Sequence, residues 1–212
     1  MGAATRGEAM STKEVPAPPP GLRCPVAVTL VHWPVYDRQG QVVTTAITNV
    51  DLHDLARISR TFGAAPCYIA TPVLAQREMC ARIAGHWTHG HGRATAHPRV
   101  AAIEQVRVVE TLEAAVADFA ALAGARPLVA VTGAGLDRDV TRFADLRARL
   151  RGDDRPPALM VVFGTGWGLT RDITDAADVR IEPIECGSGF NHLPVRAAAA
   201  IVLDRLLGPG IY

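Results

Sequence analysis

Short β-rich runs alternating with amphipathic segments constrain this chain more than any other feature of its sequence. Val26 to Val31 is the first apolar run, and the turn Asp37-Arg38-Gln39-Gly40 follows it. Val42 to Thr48 reads as strand or extended loop. From Asp51 onward Leu52, Leu55, Ala56 and Ser59 fall at helical spacing, with Gly63 as the C-terminal cap. Cys67 to Ala70 is a short strand and Val73 to about Gly85 a helix. Val106 to Val109 reads as a strand, Leu112 to Ala123 as a helix, and Leu128 to Val131 as a strand. A helix from Arg142 to Leu150, a strand from Ala158 to Phe163 and a helix from about Leu169 to Ala176 come next. Val179 to Ile184 is the last strand. The helix from Pro194 to Leu207 closes the chain, its proline at the first position, where the missing N–H costs nothing. Strands separated by helices predict an α/β fold: a mostly parallel sheet with helices on both faces.

Composition sets the bounds on function. A chain of 212 residues can bury a sizeable core without disulfides or metal. The net charge of +1 offers no global attraction for nucleic acid, so any basic surface must be local. Cys24, Cys67, Cys80 and Cys186 are scattered without C-x-x-C spacing, which argues against a zinc knuckle or redox pair and for free thiols in a reducing compartment. No apolar run approaches the ~20 residues of a membrane span. The N-terminus lacks the charged-then-apolar layout of a signal peptide, so a cytoplasmic protein is expected. Residues 1–25, with the run Pro16-Ala17-Pro18-Pro19-Pro20, carry no period and read as a disordered tail; 26–212 read as one domain.

In open α/β sheets ligands sit beyond the carboxyl ends of strands. Three loops at such positions are rich in glycine: Thr132-Gly133-Ala134-Gly135, Phe163-Gly164-Thr165-Gly166-Trp167-Gly168-Leu169, and Glu182 through Gly187 and Gly189 to Asn191-His192. Singly each is equally well a tight β–α turn. A dinucleotide fingerprint fails because Arg138 stands at the third glycine position, and no G-x-x-x-x-G-K-[ST] phosphate loop exists.

The order and content of these loops resemble the SPOUT, or α/β-knot, RNA methyltransferases. Val161-Val162-Phe163-Gly164-Thr165-Gly166-Trp167-Gly168-Leu169 is similar to the family's second motif. Ile181-Glu182-Pro183-Ile184, then Gly187, Gly189 and Phe190-Asn191-His192-Leu193-Pro194-Val195-Arg196, followed by an alanine-rich helix, is similar to its third. Residues from about Thr29 to Leu207 also resemble a less-characterised branch of predicted RNA methyltransferases, through His32-Trp33-Pro34-Val35, Thr45 to Asp54, His86-Trp87 and Asn191-His192-Leu193. The resemblance implies a C-terminal deep trefoil knot, otherwise nearly absent from proteins. It implies S-adenosylmethionine as cofactor, bent between three loops and held mostly by backbone groups. Carried over, the cofactor-binding residues are Thr132, Gly133 and Leu136; Phe163, Gly164, Thr165, Gly166, Trp167, Gly168 and Leu169; and Glu182, Pro183, Ile184, Gly187, Asn191, His192 and Leu193. Leu136, Ile184 and Leu193 would touch the adenine. A homodimer is also implied, and the alanine-rich helix suits close helix packing.

The stretch Asn49 to Gly63 resembles the first motif of the ribose 2′-O-methylating branch, keeping Arg57 and, five residues on, Phe62-Gly63. It departs from that motif in placing Asp51 where an asparagine would stand and His53 in place of a glycine. Methyl transfer needs an aligned acceptor beside a basic or electropositive group. Arg57, Asp51 and Asn191 are therefore the catalytic candidates, with Asp54 an alternative proton acceptor. Asn49 or Asp51 at a helix start is equally a plain N-cap. The segment from Arg77 to Arg99 sets Arg77, Arg82, Arg93, Arg99 and four histidines against one acid, Glu78. A flexible loop of this kind, with Trp87 among the charges, fits single-stranded RNA. Arg57, Arg82, His86, Trp87, Arg93 and Arg196 are the RNA-binding candidates. His89-Gly90-His91 is too close for ordinary zinc pairing, so no metal is expected. The function expected is methylation of ribosomal or transfer RNA, at ribose 2′-O first and a base nitrogen second. The alternatives are a knotted RNA-binding or ribosome-assembly factor without catalysis, and an unknotted nucleotide-binding enzyme of flavodoxin or Rossmann type.

Overall fold

Two uninterrupted apolar runs set the centre of the molecule. In the computed structural model, which describes residues 17–19, 21–90, 97–185 and 187–209, β1 (Val26–Val31) and β8 (Leu159–Gly164) lie side by side in parallel register, Val26 opposite Leu159 and Val31 opposite Gly164. Strands buried on both faces have no polar alternation, and neither of these does. Val26, Val28 and Leu30 point into one core, together with Leu159, Val161 and Phe163; Ala27 and Val31, with Met160 and Val162, point into the other.

The remaining strands are β2 (Val35–Tyr36), β3 (Val42–Val43), β4 (Cys67–Ala70), β5 (Val106–Val109), β6 (Leu128–Val131), β7 (Val140–Thr141) and β9 (Val179–Ile181). Seven strands form one sheet of order β5-β4-β1-β8-β6-β9-β7, every pair parallel, while β2 and β3 make a small antiparallel pair beside it. The first core is covered by α1 (Asn49–Thr61), α2 (Leu74–Thr88), α3 (His97–Ile103), α5 (Phe143–Arg151) and α7 (Val195–Leu207). The opposite core is covered by α4 (Leu112–Ala123) and α6 (Arg171–Ala176), with Phe119 wholly enclosed. The mostly parallel sheet with helices on both faces is the expected α/β architecture.

Local signals explain most boundaries. Thr48 caps α1 and Thr111 caps α4, each hydroxyl accepting a backbone N–H of the first turn. The exposed carbonyls at the end of α7 are taken up from outside: Arg147 donates to Arg205 O at 2.8 Å and Gly208 O at 2.6 Å, and Arg151 donates to Leu206 O at 2.9 Å. Gly208 caps α7 from within, its N–H bonding to Asp204 O, and two arginines of α5 take up carbonyls that this leaves.

Several expectations need correction. Part of the basic stretch expected as a flexible loop is helical: α2 runs through to Thr88, since Met79, Cys80, Ile83, Ala84 and Trp87 recur at helical spacing and pack on the core, and α3 covers His97–Ile103. Arg93 and His91 lie outside the described residues, as does Cys186 in the third loop. The last strand stops at Ile181, three residues early, because Pro183 has no N–H for a ladder. The first helical residue of α7 is Val195, with Pro194 as its N-cap. The packed chain also begins before Val26. Leu22 and Cys24 are buried in the core, and Leu22 N–H bonds to Pro19 O, so Pro19, Leu22 and Cys24 of the expected tail belong to the fold.

Candidate active site

All three glycine-rich loops leave the same end of the sheet, from β6, β8 and β9, which are close neighbours in the strand order. They converge on one cleft of about 1350 Å³. Thr132, Gly133 and Leu136 of the first loop line it, as do Phe163 to Leu169 of the second. Glu182, Pro183, Ile184, Gly189, Asn191, His192 and Leu193 of the third complete that wall. Gly187 is not among the lining residues. Leu136, Ile184 and Leu193, expected to touch an adenine, therefore share a cavity although 57 positions separate the first from the last.

A fourth wall comes from the connection between β1 and α1, through Tyr36, Thr45, Ala46 and Asp51. It grips the second loop directly. Tyr36 N–H donates to Gly168 O at 2.9 Å, and Trp167 N–H donates to Tyr36 O at 2.8 Å. Gly166 has φ +60, and a Cβ there would stand 2.7 Å from Tyr36 O, so the close approach requires glycine. Gln76 of α2 holds the wall from behind, accepting from Ile47 N–H at 2.9 Å.

Beneath this wall runs a chain of side-chain hydrogen bonds. The Thr165 hydroxyl donates to Val31 O at 3.1 Å. Thr45 Oγ1 lies 2.5 Å from Thr165 Oγ1, and His32 Nδ1 lies 3.0 Å from Thr45 Oγ1. With the Thr165 proton spent on Val31, Thr45 donates to Thr165 and His32 donates to Thr45 from Nδ1–H. This order leaves the partnerless buried Nε2 of His32 as a bare lone pair rather than an orphaned donor. Burial lowers the His32 pKa from 6.5 to about 4, with Asp51 and the Thr45 backbone opposing it, so the imidazole is neutral at physiological pH.

The candidate catalytic residues separate. Asp51 and Asn191 line the cleft, whereas Arg57 does not. Asp51 is the third residue of α1 and closes a capping box: its carboxylate accepts from Thr48 N–H at 3.1 Å and from the Thr48 hydroxyl at 2.6 Å. Asn191 Nδ2 is buried without a partner. Glu182 has a job of its own, accepting from Phe143 N–H at 2.7 Å and so capping α5. Arg57 is exposed further along α1. Asp54 joins it at 3.8 Å to Arg196 of α7 at 3.5 Å, so two of the expected RNA contacts share one carboxylate.

The other RNA candidates lie on α2. Arg82 and His86 are exposed there. Trp87 is half-buried, with His53 edge-on at 5.4 Å, His86 at 5.3 Å and the Arg99 guanidinium over its ring at 4.8 Å, which leaves it a packing residue more than an open platform. Burial, and then Arg99, lower the pKa of His53. Among the described residues no three His, Cys, Asp or Glu side chains are placed to hold a metal ion, and no helix is long and apolar enough to cross a membrane.

Sequence reasoning missed Tyr36, Thr45, Arg171 and Arg180, all of which line the cleft. For Thr45 a signal existed: it lies in the extended segment after β1, at the carboxyl end of the central strand, where ligands of such sheets collect. Arg180 had none, because its guanidinium is placed by contacts to Thr174 O at 2.9 Å and Asp175 at 3.0 Å that only folding creates.

A parallel α/β sheet with three glycine-rich loops around one cleft is the layout of a nucleotide-cofactor enzyme. Residues 25–208 match the model of a family described as SAM-dependent RNA methyltransferase, and the chain belongs to that family. It is 40% identical over 182 residues to a protein of Oleidesulfovibrio alaskensis named tRNA (guanine-N(1)-)-methyltransferase. That match covers 86% of this chain but only 42% of the relative, so the chain spans about two-fifths of that longer protein. An uncharacterised protein of Aquifex aeolicus is 35% identical, covering 85% of this chain and 87% of the relative. The solved structure of the SpoU methyltransferase AviRb from Streptomyces viridochromogenes in complex with AdoMet superposes with a TM-score of 0.54 at 15% identity, over 94% of this chain and 61% of AviRb. At that identity the likeness is one of fold.

Proposed function

We propose that this chain transfers a methyl group from S-adenosylmethionine to a nucleotide of structured RNA, ribosomal or transfer RNA, with a ribose 2′-O as the acceptor. The observation that carries the reading is the convergence of the three glycine-rich loops on one cleft, in a chain of this family. The residues present fit the cofactor. Asn191 Nδ2 is a buried donor without a partner in the cleft wall, Leu136, Ile184 and Leu193 offer apolar contact, and the loops bring bare backbone within reach. Bound there, the cofactor supplies an electrophilic methyl group on a sulfonium.

The chain's own residues align the acceptor and remove its proton. Asp51 stands at the cleft with its carboxylate oriented by the capping box, and is the proton acceptor of this reading; Asp54 is the alternative. Arg57 and Arg196, drawn together by Asp54, bind phosphate outside the cleft. The same reading takes the chain to be a cytoplasmic homodimer with a deep trefoil knot. The long run of small residues in α7, Ala197 to Ala200, supports helix-to-helix dimer packing.

A second reading, methylation of a base nitrogen, is favoured by the name of the Oleidesulfovibrio relative, a name that describes the whole of a longer protein. Incubating the purified chain with methyl-labelled cofactor and bulk transfer or ribosomal RNA, then digesting to nucleosides, tests both. Label on ribose supports the first acceptor and label on a base the second. RNA binding with no cofactor binding by calorimetry and no label would overturn catalysis and leave an RNA-binding factor.

A further inference from the structure

Three aromatic rings stand exposed at the rim of the cleft. Trp167, from the second loop, is 58% exposed, and Phe190, from the third, is 73% exposed. His192 lies between them, its ring centroid 5.7 Å from Trp167 and 5.2 Å from Phe190. The planes meet at 64° and 66°, edge to face, so each contact covers part of one face, while the exposure of Trp167 and Phe190 leaves ring surface open to solvent. Large exposed aromatics on a folded chain mark a binding surface.

We infer that Trp167, His192 and Phe190 form a stacking platform for a base of the RNA substrate, positioned so that the sugar of the stacked nucleotide reaches into the cleft. The inference rests on the methyltransferase reading and names the part of the RNA that the site grips. Continuity argues for it: Trp167 and His192 line the same cavity as Asp51 and Asn191, so a base on the rim is a neighbour of the reacting group. Arg138 and Arg171 line that cavity too, beside Asp137, Asp139 and Asp175, and are the cations within reach of a flanking phosphate. The rings alone, at ~150–250 Å² each when fully covered, fall short of the ~800 Å² a side that a stable protein partner needs, while their size suits a nucleotide base. Trp87, the aromatic that composition pointed to, is half-buried with the Arg99 guanidinium over its ring, and so is less open than Trp167.

The test uses the full chain and a short fluorescent oligoadenylate, compared with an abasic oligomer of the same length. Trp167→Ala and Phe190→Ala should weaken oligoadenylate binding roughly five- to a hundredfold each, the span of base–aromatic stacking. Trp167→Phe should restore most of the loss. The abasic oligomer should bind wild type and variants alike, and the salt dependence should keep its slope, because no phosphate contact is removed. Affinity for S-adenosylmethionine should fall less than affinity for RNA. An equal loss on both ligands would place the ring against the cofactor and overturn the platform. So would a change of oligomeric state in Trp167→Ala by sedimentation, or unchanged oligoadenylate binding by every variant while the wild type still methylates RNA. Wild-type protein that neither binds the cofactor nor transfers methyl would instead bring down the methyltransferase reading itself.

Discussion

His32 gives the protein a built-in sensitivity to acid. Its side chain is fully enclosed with Nε2 unpartnered, and burial keeps it neutral, with the proton on Nδ1 for the hydrogen-bond chain through Thr45 and Thr165. In the unfolded chain the imidazole takes up a proton near 6.5; in the folded protein burial defers this to about 4. Between those values the unfolded state binds more protons, so stability is full above the unfolded pKa and falls as the pH drops toward the folded one. At about 1.4 kcal/mol per pH unit the whole loss is about 3 kcal/mol, most of it incurred by about pH 4.5. The assay is urea unfolding of wild type and His32→Gln across about pH 7.5 to 4.5. The wild-type advantage should hold steady above neutrality and shrink by about 2–3 kcal/mol toward acid. Other groups that titrate cancel in the difference. Parallel curves for the two proteins would refute the reasoning, as would an imidazole resonance of His32 that titrates near 6.5 in the folded protein.

Further substitutions separate structural duties from chemical ones. Gly166→Ala forces a Cβ against Tyr36 O at positive φ and should cost about 1–3 kcal/mol of stability together with cofactor affinity; Gly187→Ala, also at positive φ but in open space, should cost about 1–2 kcal/mol and keep more of that affinity, as calorimetry would read. Asp51→Ala removes the capping box and should lower stability by about 1 kcal/mol; a fall in methyl transfer of about 10²-fold or more beyond that marks it as the proton acceptor. Asn191→Ala removes a donor that has no partner in the fold, so thermal stability should hold while methyl transfer drops about 10²-fold. Arg147→Ala exposes the carbonyls at the end of α7 and should cost about 1–3 kcal/mol in urea unfolding.

Much of this protein was legible residue by residue. The strands at Cys67–Ala70, Val106–Val109 and Leu128–Val131 and the helix Leu112–Ala123 fall where apolar period and flanking turn signals put them. The three loops were legible only as a set: singly each reads as a tight β–α turn, but three of them after apolar strands point to the ligand end of the sheet. The boundary of α2 was not, since its apolar positions are interspersed with arginine and histidine and only packing against the core makes them a helix. β7, two residues long, was equally invisible: it forms because Val140 and Thr141 find a ready edge at β9.

By itself the sequence determined the alternating α/β order, the glycine-rich loops and their likeness to a methyltransferase family, since each is encoded by neighbours along the chain. Tertiary structure alone decided which of those loops share a cleft, that Tyr36 and Thr45 form its fourth wall, and that Asp51 faces it while Arg57 does not. It also decided that Trp87 packs inward while Trp167 stands open. The physical reason is the same throughout. Strand order places residues more than a hundred positions apart within a hydrogen bond of each other, as it does for Thr45 and Thr165, and no local pattern carries that distance.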